Sequence, residues 1–424
     1  MAQHSENEKE PINIGYDAWQ GLGDAVVPGE DGVTPRYAME YFIDSICWGR
    51  VIEKCYYLRQ GVYCFLSEVH TSGETSHIRK ITFEDGVQWV IRLRLPNPTT
   101  GEEDIGVRTC YESLKYLRDE TTVPVPEAYY CDASLSNAIG APYILMDYIH
   151  GTTAEKLRKN LGYRENEFGS VDENINFKRG LAMIQVELAS KKFNRIGRPR
   201  PAPQGGYYVA STPTEAAHDT SGAFYRRLTS NLLREARMSG RTVAQDLTLS
   251  IPALFEQLIA RWSTHRGPFG VALTSLGAHN VLVDENFRVQ AVIHPEGLMA
   301  VPREIQAQMP LSMGLQTSPP RSRAESVAQM TTLMEEMERA KSYVSYLKEA
   351  DRIKYAGVRR DADDAPLYTA VLGPAALIYQ GLVEFKNFRE NVDRRWLTAR
   401  DLFVPGQMYF LSSSIIFKDT VDEI

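Results

Sequence analysis

The sequence predicts an α+β protein with two lobes, a small antiparallel-sheet lobe followed by a larger helical one. Three observations predict it. Alternating strand-like runs crowd into the stretch after Gly61. Asp85-Gly86 stands between two of those runs, a strong two-residue hairpin signal. After Gly151 apolar residues recur mostly at three and four, the spacing of helices.

The elements follow in order. Residues 1–33 are polar and rich in Gly and Pro, and read as a flexible N-terminal segment. Thr34-Pro35 reads as an N-cap followed by proline at the first helical position, so a helix is expected from Arg36 to Tyr56. Strands are expected at Val62–Val69, His77–Phe83, Val87–Leu95 and Tyr143–Ile149, with a helix at Gly106–Arg118. Together these make a first lobe over residues 34–149. The second lobe, 150–424, carries expected helices at Glu173–Phe193, Thr248–Thr264, Val327–Leu347 and Ala370–Val383. Short strands are expected at Val281–Val283 and Val289–Ile293, a loop at Ser312–Ser326, and a loop at Tyr207-Tyr208. A cleft between the lobes is the natural place for a small-molecule ligand.

The chain has 424 residues, 43% hydrophobic and 24% charged, which excludes a disordered or collagen-like chain. Its formal charge of −7, from 47 basic and 54 acidic residues, argues against a nucleic-acid partner. No apolar stretch is long enough for membrane insertion, and MAQHSENEKE lacks the apolar core of a secretion signal. The 5 cysteines are odd in number and form no CxxC pair, so reduced thiols and a cytoplasmic location are expected. Nothing in the sequence sets the oligomeric state.

Six strings carry a family resemblance: DGVQWVIRLRLP (Asp85–Pro96), LKYLRDETTVPVPEAYYCD (Leu114–Asp132), IGAPYILMDYIHGT (Ile139–Thr152), KKFNRIG (Lys191–Gly197), GPFGVALTSLGAHNVLVDE (Gly267–Glu285) and VQAVIHPEGLMAVP (Val289–Pro302). In this order they resemble the aminoglycoside phosphotransferase family, which has a protein-kinase-like fold, and in particular its divergent, fungal-type members. The resemblance implies four charged parts for phosphoryl transfer: a strand cation, a helix carboxylate that holds it, a catalytic-loop aspartate, and a magnesium-binding aspartate aided by an asparagine.

Mapped string by string, the strand cation is Arg92. Cys110 stands where the helix carboxylate is expected, and Glu112 lies about 200° around the helix from it. The family's H-x-D-L-x-x-x-N loop is Leu273–Asn280 here, so Ser275 replaces the aspartate while His279 and Asn280 follow. The family's I-D-W-E is Ile293-His294-Pro295-Glu296, so His294 replaces the magnesium aspartate. Histidine with one asparagine makes a poor magnesium site, because magnesium prefers hard oxygen ligands. A serine does not accept a proton near neutral pH as a carboxylate does.

Three functions follow as expectations. The first is an ATP- and metal-independent enzyme of secondary metabolism that isomerises or cyclises a small apolar metabolite, with no cofactor and no metal. Its candidate catalytic residues are His294, Ser275, Arg92 and Glu296, and its candidate substrate-binding residues are His279, Asn280, Asp147 and Tyr148. The second is a non-catalytic pseudokinase that binds or scaffolds. The third is a residual ATP-dependent O-phosphotransferase, kept open by Glu296. Each residue also has a plain structural reading: Arg92 paired with a carboxylate on the strand surface, His294 in a turn before Pro295, His279 bracing its loop, Ser275 capping a turn. Asp361-Ala362-Asp363-Asp364 spells a D-x-D-D cyclase motif, but its charged surroundings read as a surface loop.

Overall fold

The computed structural model describes residues 41–72, 75–95, 103–212, 215–238, 266–310, 323–358 and 365–371, and single residues 256, 263, 373, 375, 376 and 379. Most of the expected helix at Thr248–Thr264 and of that at Ala370–Val383, the segment 1–33 and the D-x-D-D motif lie outside the described residues. The described residues fall into two compact units. The first runs to Asn174 and includes Ala278–Glu296; the second takes Ile175–Gly277 and the residues from Gly297 onward. The segment carrying His279, Asn280, His294 and Glu296 packs with the first unit.

The first unit is built on a five-stranded antiparallel sheet in the order β1-β2-β3-β5-β4. Its strands are β1 (Cys64–Ser72), β2 (Ser76–Phe83), β3 (Gln88–Arg94), β4 (Ala128–Asp132) and β5 (Tyr143–Asp147). The Asp85-Gly86 turn closes the β2–β3 hairpin as the sequence predicts. Gly86 takes φ +82°, a left-handed conformation that glycine adopts without strain, and Phe83 N–H donates to the Val87 carbonyl at 2.9 Å. Alternation then sorts β3. Trp89, Ile91 and Leu93 join Ile81, Phe83, Tyr143 and Leu145 in a core that also takes Val51 and Cys55 of α1 (Trp48–Leu58). The opposite face carries Val90 and Arg92, and there α2 (Glu103–Glu120) brings Cys110 against Arg92. Helical spacing makes a buried stripe of Val107, Cys110, Leu114 and Leu117 on α2, each apolar side chain contributing about 1.5–3 kcal/mol.

The helix expected from Arg36 to Tyr56 is broken. A helical turn at residues 41–45 ends at Ile46, and α1 starts only at Trp48. Cys47 N–H leaves the helix pattern to donate to the Ile139 carbonyl at 2.9 Å, while Ile46 enters the core. A tertiary hydrogen bond thus overrides continuous helical spacing. A second small sheet of this unit has the order β12-β11-β6, from β6 (Thr152–Thr153), β11 (Val281–Val283) and β12 (Val289–Val292). Gly151 precedes it at φ +144°, and a Cβ there would stand 2.8 Å from the Val283 carbonyl oxygen. Thr153 caps α3 (Ala154–Asn160) by accepting Lys156 N–H at 3.4 Å.

The second unit is mostly helical where described. Its main helices are α4 (Val171–Ala189, which begins at the end of the first unit), α5 (Ser221–Met238) and α7 (Arg323–Lys354), with a short α6 (Arg303–Gln306). The helix expected at Glu173–Phe193 stops at Ala189, because Phe193 pairs with Phe269 in a three-stranded sheet. That sheet runs β13-β10-β7, from β7 (Lys192–Phe193), β10 (Phe269–Leu273) and β13 (Leu298–Val301). Tyr207-Tyr208, expected in a loop, belongs to a hairpin of β8 (Pro199–Pro201) with β9 (Tyr207–Val209). The helix expected at Val327–Leu347 extends to the full span of α7.

Candidate functional site

The polar cluster of the first unit centres on Arg92. Strand alternation points its side chain to the α2 face of the sheet, where its side chain is 6% exposed. All three guanidinium nitrogens donate: Nε to Ser76 Oγ at 3.1 Å, Nη1 to Cys110 Sγ at 2.8 Å and Nη2 to Glu296 Oε1 at 2.6 Å. Each partner comes from a different element: β2, α2 and the 3-10 turn Pro295–Gly297. Arg92 is thus neither an exposed strand cation nor paired on the strand surface. Its carboxylate partner is half-buried and lies 204 residues away in sequence.

The charges reinforce one another. Burial alone would raise the Glu296 carboxyl, but the Arg92 cation beside it prevails and holds it at about 2. Burial works against the Arg92 cation, yet Glu296 and Cys110 together raise its pKa above the ordinary arginine value. The Cys110 thiol is pushed well up by burial, so it stays protonated. His294 follows from the same turn. Its Nδ1 lies 4.0 Å from Glu296 Oε1, and its backbone takes φ +60°, a left-handed conformation uncommon for a residue with a side chain. Burial first, and the Arg92 charge second, pull its pKa down to about 3, so it is neutral near pH 7.

The remaining sequence-predicted residues divide. Asn280 is buried beside this turn, and its carbonyl accepts Ile293 N–H at 2.8 Å. His279 is half-buried, and burial lowers its pKa against the opposing effect of Glu155. Asp147 ends β5, where its carboxylate accepts Glu127 N–H at 3.0 Å and the Tyr129 hydroxyl at 2.5 Å. Tyr148 is buried, with Lys80 Nζ 5.3 Å from its ring centre and the His150 ring 4.8 Å away. Ser275 belongs to the second unit, in a loop where Thr274 N–H and hydroxyl both donate to the Gly297 carbonyl at 3.1 Å. A Cβ at Gly297 would stand 2.6 Å from Thr274 Oγ1, so glycine is needed for that close approach.

Sequence reasoning missed two features. Ser76 was not a candidate, although two-residue alternation places it on the Arg92 face of β2. His77, its neighbour on the opposite face, is fully buried with its pKa lowered to about 4 by burial, then by His70 and Arg79. A lone histidine in an alternating strand gives no signal of the surroundings of His77.

No family model matches the sequence, and no curated protein matches it. Solved structures do. The streptomycin–ATP ternary complex of APH(2'')-IIa matches with a TM-score of 0.44 and 12% identity, over 80% of this chain and 89% of that one. Amicoumacin kinase in complex with AMP-PNP matches with a TM-score of 0.42 and 11% identity, over 88% and 95%. A macrolide 2'-phosphotransferase from Brachybacterium faecium matches with a TM-score of 0.39 and 13% identity, over 84% and 98%. Similarity at this level says nothing of what the present chain binds or does. Its own element order and the register of its five-stranded antiparallel sheet make it an α+β protein.

Proposed function

We propose that this chain is a kinase-like protein whose phosphotransfer set has been exchanged, and that it isomerises or cyclises a small apolar metabolite without ATP and without a metal at the Arg92 cluster. The observation that supports this is the partner set of Arg92, in which Ser76, Cys110 and Glu296 take three of its five N–H groups. A strand cation that serves nucleotide must turn guanidinium N–H groups toward phosphate, whereas here Ser76, Cys110 and Glu296 engage Nε, Nη1 and Nη2. The magnesium-bound nucleotide of the family does not fit this donor set. His294 stands at the main ligand position, and the Glu296 carboxylate is already neutralised by Arg92.

The chemistry left to the cluster is hydrogen bonding and orientation. A neutral imidazole held at about 3 is a weak base, so His294 acts as a fixed dipole toward substrate rather than as a proton shuttle. Isomerisation and cyclisation suit such a site, since they need a substrate conformation and a few oriented dipoles. No atoms are added, so the product keeps the substrate's mass. The reading is tested by incubating the full chain with a panel of apolar, unsaturated small molecules in EDTA without nucleotide, and analysing masses after chromatography. An isomeric product that His294→Ala abolishes supports it. A phosphorylated product that requires ATP and magnesium overturns it.

A second reading has its own support. The cluster holds no group whose pKa is placed near neutrality, which suits a non-catalytic binding protein. Saturable binding of a panel member, with no conversion over a long incubation, favours this second reading.

A further inference from the structure

A second polar cluster lies on the other face of the five-stranded sheet. His70 of β1 and His77 of β2 sit on adjacent strands, in a register that pairs His70 with Arg79 and Ser72 with His77. The two imidazole centroids are 5.0 Å apart. His77 is fully buried, and its Nδ1 lies 2.8 Å from Ser72 Oγ. Its Nε2 is buried with no hydrogen-bond partner among the described residues. Buried polar atoms are nearly always satisfied, so an orphaned imidazole nitrogen calls for a ligand or a cost of about 1–3 kcal/mol.

We propose that His70 and His77 form a cross-strand imidazole pair that takes one zinc-like divalent cation. The spacing supports it. With nitrogen–metal bonds of about 2.0–2.1 Å and each ring centre about 1.1 Å behind its nitrogen, two imidazoles at the tetrahedral angle stand with centres about 5.2 Å apart. The Ser72 contact supports it as well. When Nδ1–H donates to the Ser72 hydroxyl, the tautomer leaves the Nε2 lone pair for a metal, the usual orienting device behind a ligand histidine. His70 is exposed, which gives the cation a path and leaves its remaining positions to water. The opposing feature is Arg79, whose guanidinium lies 4.6 Å from the Trp48 ring centre and donates Nε to the Ser67 carbonyl at 2.7 Å. Its charge weakens the site. Ser76 and His77 point to opposite faces of β2, so this cation stands apart from the Arg92 cluster.

The test uses the full chain, stripped with EDTA and dialysed, then titrated with zinc chloride by calorimetry at neutral pH. One equivalent is expected to bind. His70→Asn changes an exposed side chain, so Tm should stay the same while affinity falls at least about tenfold. Copper(II) spin resonance gives a second readout: splitting from two nitrogens in the wild type and from one in His70→Asn. Wild-type protein that binds no equivalent, or His70→Asn that binds as tightly as the wild type, overturns the proposal.

Discussion

Two part-buried ion pairs, one in each unit, hold their surroundings in different ways. In the first unit one guanidinium gathers three elements, and Glu296 is the carboxylate bonded to it. In the second, Glu187 of α4 takes Lys354 from the end of α7 and also Lys191 at 3.7 Å. That helix seam is further tied by Arg179–Glu349 at 3.0 Å and by the Tyr343 hydroxyl on Gln185 at 2.5 Å. The helix seam spreads its polar contacts over several residues and tolerates the loss of one. The Arg92 cluster depends on one planar fork whose partners cannot substitute for each other. Redundancy belongs to architecture here; the single fork sits where the resemblance places chemistry.

That contrast is most exposed by removing one charge from each pair. Glu296→Gln leaves the Arg92 cation buried and uncompensated, and should cost about 3 kcal/mol or more in urea unfolding. Lys354→Met leaves Glu187 with Lys191 and should cost about 1 kcal/mol or less. Equal losses would erase the distinction.

A pH series sharpens it next. His294 is neutral when folded down to about 3, whereas its unfolded value is 6.5. The unfolded chain therefore binds the extra proton between those values, and stability falls as pH is lowered through that window, by up to about 1.4 kcal/mol per pH unit. Glu296, depressed from 4.5 to about 2, adds a loss at the lower end as the pH falls. His294→Gln should flatten the upper part of this slope, measured as urea midpoint against pH. An unchanged slope would show that the fold does not hold His294 neutral across this window.

Smaller effects test the neutral partners. Ser76→Ala removes the acceptor of Arg92 Nε and should cost about 1–2 kcal/mol. Tyr129→Phe removes one donor from Asp147 and should cost about 1 kcal/mol, read as a drop in Tm. Cys110→Ser keeps a hydrogen-bond acceptor beside Arg92 and should stay within about 1 kcal/mol of the wild type.

The hairpin around Asp85-Gly86 was legible because turn chemistry and two-residue alternation act over a few neighbouring residues. Cys110 as the residue beside Arg92 was legible too, since it followed from aligned strings and helical spacing. The break before α1 was not, because Cys47 is drawn away by Ile139, far along the chain. Nor was the strand after α4, where Phe193 leaves helical spacing to pair with Phe269.

By itself the sequence determined the α+β class and the two-residue alternation of β3; that Ser275, His294 and Cys110 stand in place of acidic residues is what the family resemblance implies. Periodicity states which way a side chain points, and it does so from local geometry alone. Only the tertiary structure decided what Arg92 meets there: Glu296, a residue 204 positions away whose approach depends on how the turn after β12 folds back. The same holds for the His70–His77 pair, since register between strands is fixed by packing and not by either strand's own pattern.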